Sequence, residues 1–266
     1  MSLLKDAFCA VVVALALSCM SVQDVAAQAA DSESAVAAAK KRGRLIVGVK
    51  YDFPPFGFVD EKRQVVGFEV DIARELAANL LGKPDAIELV EVSGPNRIPF
   101  LVTGKVDLVI ATLSITPERA KTISFSEPFY TGGYTIMVAK DRSDIKGLSD
   151  LSGKRVVMTR GSTAEPLLNK LNPPPQQLLK MEQISELYSV MQTGRADAGV
   201  QDIALLQPFV SSHPEYKLVG GLLNEEPWGV GIRKDDRETV KWVNDALEQM
   251  RKAGKFDALR KKWGLG

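Results

Sequence analysis

Residue types that often carry chemistry are scarce in this chain. Of its 266 residues only two are cysteine, Cys9 and Cys19, and both fall in the apolar N-terminal run "AFCAVVVALALSCM". That run has the length of an export signal and is too short to span a bilayer comfortably. Small residues follow in "DVAAQAA", where Ala27-Gln28-Ala29 forms an A-x-A cleavage pattern. The expected signal peptide is therefore residues 1–29, with a mature chain starting near Ala30. A lipoprotein signal ending at Cys19 is the alternative, with Ala16 standing where a leucine is usual. After cleavage no thiol remains, which excludes disulfides and cysteine-based metal sites. No later apolar run approaches membrane length.

Histidine is scarcer still: His213 stands alone, before Pro214 in the polar stretch "SSHPEY". A metal cluster or a histidine-assisted serine nucleophile has no partner residues to build on. An excess of one charge is also missing, since Lys plus Arg is 34 and Asp plus Glu is 33. That balance offers no footprint for nucleic acid or an anionic membrane. Neither G-x-x-x-x-G-K-[ST] nor a G-x-G-x-x-G opening a helix is present, so nucleotide binding has no support.

What the chain does contain is alternation. "RLIVGVK", "DIARELAANLLG", "AIELVEV", "NRIPFLVTG" and "VDLVIATL" follow one another as strand-like and helix-like segments, the grammar of parallel βα units in an α/β fold. The pattern predicts a helix opened by Asp71 and closed by Gly82, with Ile72, Leu76 and Leu80 on one face. After "GYTIMVAKDRSD" the same grammar restarts through "GKRVVMTRGSTAEPLLNKL", "SELYSVMQTG" and "RADAGVQDIALL". Two such halves imply two lobes around a cleft: residues 30–139 with 230–266, and residues 140–229. The tail carries Val240, Val243, Leu247 and Met250 on one helical face, expected to pack back on the first lobe.

Three cations sit at strand ends or helix starts rather than on amphipathic faces. Lys50 closes "RLIVGVK" before the Pro54-Pro55 turn, and Arg97 opens a helix after "SGPN". Arg119 falls in the first turn after Thr116-Pro117, where a cation opposes the helix dipole unless an anion neutralises it. Thr112 and Ser114 supply hydroxyls beside Arg119, and Ser162 and Thr163 supply more at a helix start in the second half. Asp202 ends the apolar strand "AGVQD", as a site carboxylate or as the cap of the next helix.

"GRLIVGVKYDFPPF", "GFEVDIARELA", "VDLVIATLSITPERAKTISFSEPFY", "LSGKRVVMTRGST", "GRADAGVQD" and "KKWGLG" resemble, in order from about Gly43 to Gly266, the periplasmic solute-binding proteins of polar amino acid ABC transporters, family three. The resemblance implies a two-lobed periplasmic binding protein fold of type II that opens and closes about two crossover strands, near Val138 to Asp141 and near Pro227 to Gly231, a periplasmic location, no cofactor, a monomer, and a membrane permease as partner. It implies that Arg119, with Thr112, Ser114 and Thr163, binds a ligand's α-carboxylate, that Asp202 binds its ammonium, and that Phe53 packs on it. "GVK" at Lys50 and "NRIP" at Arg97 are similar to the glutamate and aspartate binders, so both cations are expected to face a side-chain carboxylate. Lys50, Arg97 and Arg119 against Asp202 leave two net positive charges, to which an acidic amino acid brings two carboxylates and an ammonium. A neutral glutamine would leave a desolvated cation partly unpaired, at about 2 kcal/mol or more. Gln183 stands where some relatives place an aromatic near the ligand. Two competing classes are a dehydratase on the same fold, with Glu127, Glu165 or Glu186 as its acid, and a receptor sensor domain.

Overall fold

The structure is a computed structural model and describes residues 33–265; the expected signal, its cleavage point and both cysteines lie outside the described residues. Helix α1 (Ala35–Arg42) leads into strand β1 (Leu45–Val49), the short strands β2 (Asp52–Phe53), β3 (Gly57–Val59) and β4 (Val65–Val66), and helix α2 (Phe68–Leu81). Strand β5 (Ile87–Glu91), helix α3 (Arg97–Val102), strand β6 (Leu108–Val109), the single turn α4 (Pro117–Ala120) and strand β7 (Ile123–Phe125) follow. Next come β8 (Tyr130–Gly132), β9 (Tyr134–Ala139), β10 (Arg155–Thr159), α5 (Ala164–Leu168), β11 (Gln177–Met181), α6 (Ile184–Gln192), β12 (Ala198–Asp202), α7 (Ile203–Ser212) and β13 (Tyr216–Val219). The chain returns through β14 (Glu226–Trp228) and β15 (Gly231–Arg233) to helices α8 (Arg237–Lys252) and α9 (Lys255–Lys262).

The strands form two five-stranded sheets of matching order, β5-β1-β6-β15-β7 and β11-β10-β12-β9-β13. In each, three parallel strands are joined by an antiparallel return strand and an edge strand. Parallel strands are covered on both faces, which is why β1 reads as an unbroken apolar run rather than an alternating one. One face of the first sheet packs against Phe68, Ile72 and Leu76 of α2 and Val243, Leu247 and Met250 of α8, so the tail docks on the first lobe. The other face buries Leu101, Leu113 and Ile123. The second sheet has its own pair of cores.

Helix α2 begins at Phe68, three residues before the expected Asp71. Its N-cap is Gly67 at φ 141°, where a Cβ would lie 2.1 Å from the carbonyl oxygen of Phe56. Because the turn is that tight, loop carbonyls satisfy the first helical N–H groups: Phe68 donates to Pro55 and Glu69 to Phe56, both at 2.9 Å. Gly82 closes the helix in the left-handed conformation as expected.

The crossovers also differ from expectation at one end. Strands β8 and β14 pair antiparallel, Glu226 opposite Gly132 and Trp228 opposite Tyr130, and carry the chain between the two sheets. Strand β9 already belongs to the second sheet, with Val138 paired to Lys217, so the outward crossing lies at Tyr130–Gly132 and not at Val138 to Asp141. A boundary at 139/140 would cut an interior strand away from its sheet. On the return side, β14 overlaps the expected segment from Pro227 to Gly231.

Candidate functional site

In an open α/β sheet the crevice lies beyond the carboxyl ends of the strands where the order reverses. Lys50 directly follows β1, Arg97 lies beyond β5, and Thr112 and Ser114 lie beyond β6. Across from them, Arg160 and Ser162 follow β10 and Asp202 ends β12. These residues line one cavity together with Phe53, Gly94, Tyr134, Thr159, Gln201 and Trp228.

The two lobes meet closely over it. A Cβ at Gly94 would sit 2.1 Å from the carbonyl oxygen of Arg160, and Gly161, at φ 72°, packs on the Gly94 backbone in turn. Only glycine admits this approach of two main chains. Asp52 accepts a hydrogen bond from the N–H of Ile184 at 2.9 Å, so a first-lobe carboxylate caps a second-lobe helix.

Arg97 is buried and directs its guanidinium at main-chain oxygens: Nη1 donates to Ala111 at 2.6 Å and Thr112 at 3.1 Å, and Nη2 to Gly161 across the cleft at 3.2 Å. Its Nε is buried with no acceptor among the described residues. Arg119 donates to Ser114 at 2.8 Å and to the same Gly161 oxygen at 3.0 Å. Lys50 is 4% exposed, and its ammonium lies 4.9 Å from the centre of the Phe53 ring. None of the three cations is in an ion pair among the described residues. Desolvation and the Arg97 charge bring the Lys50 pKa down to about 8; desolvation, then Arg119, lowers that of Arg97.

Thr112 holds φ 47°, a left-handed conformation that a β-branched residue rarely takes. Its carbonyl is tied to Arg97 and its N–H donates to Glu69 Oε1 at 2.6 Å, while its hydroxyl donates to the Ala111 carbonyl at 2.9 Å. The helix-dipole argument for Arg119 does not carry over, because α4 is one turn long and the side chain reaches back to Ser114. Thr116 does cap that turn, accepting from the Arg119 N–H at 3.2 Å.

Three carboxylates oppose these cations. Asp202 accepts from the N–H groups of Gly133 at 2.7 Å and Ala204 at 2.9 Å, so it caps α7 and also lines the cavity; burial raises its pKa to about 6. Glu69 and Glu226 are absent from the sequence-based charge count. Glu69 is fully buried in the first turn of α2, its Oε2 without a partner among the described residues, and desolvation lifts its pKa to about 7. Glu226 accepts from Ser114 Oγ at 2.5 Å, from Thr163 Oγ1 and from Asn224 Nδ2 at 2.9 Å.

Of the nine candidate residues, Lys50, Phe53, Arg97, Thr112, Ser114, Ser162 and Asp202 line the cavity, whereas Arg119 and Thr163 do not. Gln183 is exposed at the start of α6 and does not line it. The proposed catalytic acids are committed elsewhere: Glu165 pairs with Lys180 at 2.5 Å, Glu186 accepts from the N–H groups of Glu182 and Gln183, and Glu127 lies outside the cavity. Glu69 had a signal, since it shares a helical stripe with the buried Ile72, Ala73 and Leu76.

The profile of bacterial extracellular solute-binding proteins, family 3, matches residues 45–266. A glutamine-binding protein of Geobacillus stearothermophilus is 38% identical, over 76% of this chain and 77% of the relative. The glutamate/aspartate import solute-binding protein of Escherichia coli (strain K12) is 31% identical, over 99% of this chain and 89% of the relative. The crystal structure of a solute receptor for L-cysteine of Neisseria gonorrhoeae superposes with a TM-score of 0.82 at 33% identity, over 86% of this chain and 93% of that one.

Proposed function

The chain belongs to family 3 of the bacterial extracellular solute-binding proteins, and from that premise we propose that it captures an acidic L-amino acid, glutamate or aspartate, between its lobes and delivers it to the permease of an ABC importer. The observation that carries the acidic reading is Lys50, a buried ammonium in the cavity wall with no hydrogen-bond or ion-pair partner among the described residues. A desolvated cation of this kind is costly until an anion reaches it. Arg97 stands on the same wall with one buried donor unmatched, which suits it to share the side-chain carboxylate. Arg119, Ser114 and Thr163 receive the α-carboxylate, and Asp202 the ammonium.

Charge accounting supports the same ligand. With Glu69 holding its proton and Arg160 paired to Glu182, the cavity wall sets Lys50 and Arg97 against Asp202, an excess of one positive charge. A glutamate or aspartate zwitterion carries one negative charge and closes that balance. Binding favours the closed state because the cations lie on the first lobe and Asp202 on the second, so the ligand's groups are satisfied together only when the lobes meet. The protein acts as an exported, periplasmic monomer in this reading.

The glutamine-binding relatives support a second reading, and Glu69 is the observation that favours it: if ionised, it balances the site at zero and suits a neutral side chain. Isothermal titration of refolded protein with L-glutamate, L-aspartate, L-glutamine and L-histidine decides between them. The acidic reading expects glutamate or aspartate to bind more than about tenfold tighter than glutamine. Glutamine binding at least as tightly discards acidic specificity and leaves amino acid capture in place.

A further inference from the structure

We propose that Glu226 is a tethered occupant of the α-carboxylate subsite, holding the hydroxyls that a ligand carboxylate must take over and thereby setting the affinity. The inference rests on the assignment of Ser114 and Thr163 to that carboxylate. Glu226 stands on the returning crossover strand β14, opposite Gly132 of the outgoing one. One carboxylate oxygen accepts from Ser114 Oγ on the first lobe at 2.5 Å, and the other accepts from Thr163 Oγ1 on the second lobe.

This arrangement copies what an amino acid would do there. A carboxylate bridges the same two hydroxyls, links the same two lobes, and lies within the electrostatic reach of Arg119 and Arg97. Thr163 does not use its hydroxyl to cap α5: besides Glu226, the hydroxyl reaches that of Tyr134 at 3.2 Å, which the Thr163 N–H also meets at 3.2 Å. Asn224 holds Glu226 in place with 2.9 Å between Nδ2 and Oε1, while its own Oδ1 accepts from the Tyr134 N–H at 3.0 Å. Two carboxylates cannot share two hydroxyl donors without strong repulsion. The incoming ligand therefore displaces Glu226, and part of its binding energy is used in doing so.

The test compares Glu226→Gln, Glu225→Gln and the unmodified chain by isothermal titration against L-glutamate and L-glutamine. Glu225 is the exposed neighbour and controls for removal of one negative charge from the vicinity. Glu226→Gln is expected to bind about tenfold tighter than the unmodified chain, and Glu225→Gln to stay within about twofold. Weaker or unchanged binding by Glu226→Gln, or an equal gain from Glu225→Gln, overturns the proposal. Should Glu226→Gln not fold, a crystal structure of the unmodified chain with bound amino acid decides: the proposal requires the ligand carboxylate on Ser114 Oγ and Thr163 Oγ1 with Glu226 turned away. Glu226 still on both hydroxyls refutes it. Because both test ligands carry an α-carboxylate, a preference for glutamine would discard acidic specificity while the Glu226 comparison remained readable.

Discussion

The two lobes share one strand order and meet the cleft with opposite chemistry. The first contributes Lys50 after β1, Arg97 beyond β5 and Arg119 beyond β6; the second contributes the Gly161 carbonyl, which both arginines reach, and Asp202 at the end of β12. The comparison teaches that the fold supplies positions and the loops supply charge. On the proposed function, the same division of charge couples closure to binding. The donors of one lobe find their acceptors on the other or on a ligand lying between them.

The largest effect is expected where the second lobe's charge is removed. Asp202→Asn deletes the proposed ammonium partner and weakens the α7 cap, so titration should show at least about a hundredfold loss for every amino acid. If the loss fell on one ligand only, the division of labour between the lobes would be wrong.

On the first lobe, Glu69 is an acid whose pKa of about 7 in the fold stands above its ordinary 4.5. The unfolded chain gives up this proton first, so the stability owed to Glu69 is complete below its ordinary pKa and is lost as the pH rises through about 7. Glu69→Gln should make the unliganded protein on the order of 2 kcal/mol more stable at about pH 8 and leave it unchanged near pH 4, measured by denaturant unfolding. A variant no more stable at the higher pH would mean that Glu69 is ionised and usefully paired, which favours the neutral ligand.

Gly94→Ala attacks the meeting of the lobes itself, since its methyl group would lie 2.1 Å from the Arg160 carbonyl oxygen. Affinity should fall about tenfold for all ligands. Small-angle scattering should then show a less compact liganded state, whereas unchanged scattering would mean that closure does not need this contact.

The smallest effect is a pH dependence. In a Glu69→Gln background, where Lys50 loses its proton as the pH rises through about 8, affinity for glutamate should fall about fourfold between pH 7 and 8.5 while that for glutamine hardly moves. Equal loss for both ligands would remove Lys50 from the side-chain subsite.

Much of this was legible in the sequence because it is local. The βα alternation, the Gly82 stop, the Thr116-Pro117 helix start and the placing of Lys50 at a strand end and Arg97 at a helix start all follow from neighbouring residues. The outward crossing was misplaced because "YTIMVA" reads as an apolar strand whichever sheet it joins, and pairing with Lys217 is a long-range fact. Glu226 was missed for the same reason, since 112 positions separate it from Ser114. Arg119 was found by its motif, but the dipole argument assumed a longer helix than the single turn that forms.

If the buried pair of Lys50 and Arg97 selects a second carboxylate, the direct test is the ratio of glutamate to glutamine affinity in Lys50→Met against the unmodified chain. The ratio should fall from above about ten to near one, through loss of glutamate binding alone. A ratio that survives the substitution would place the selecting charge elsewhere and contradict that assignment.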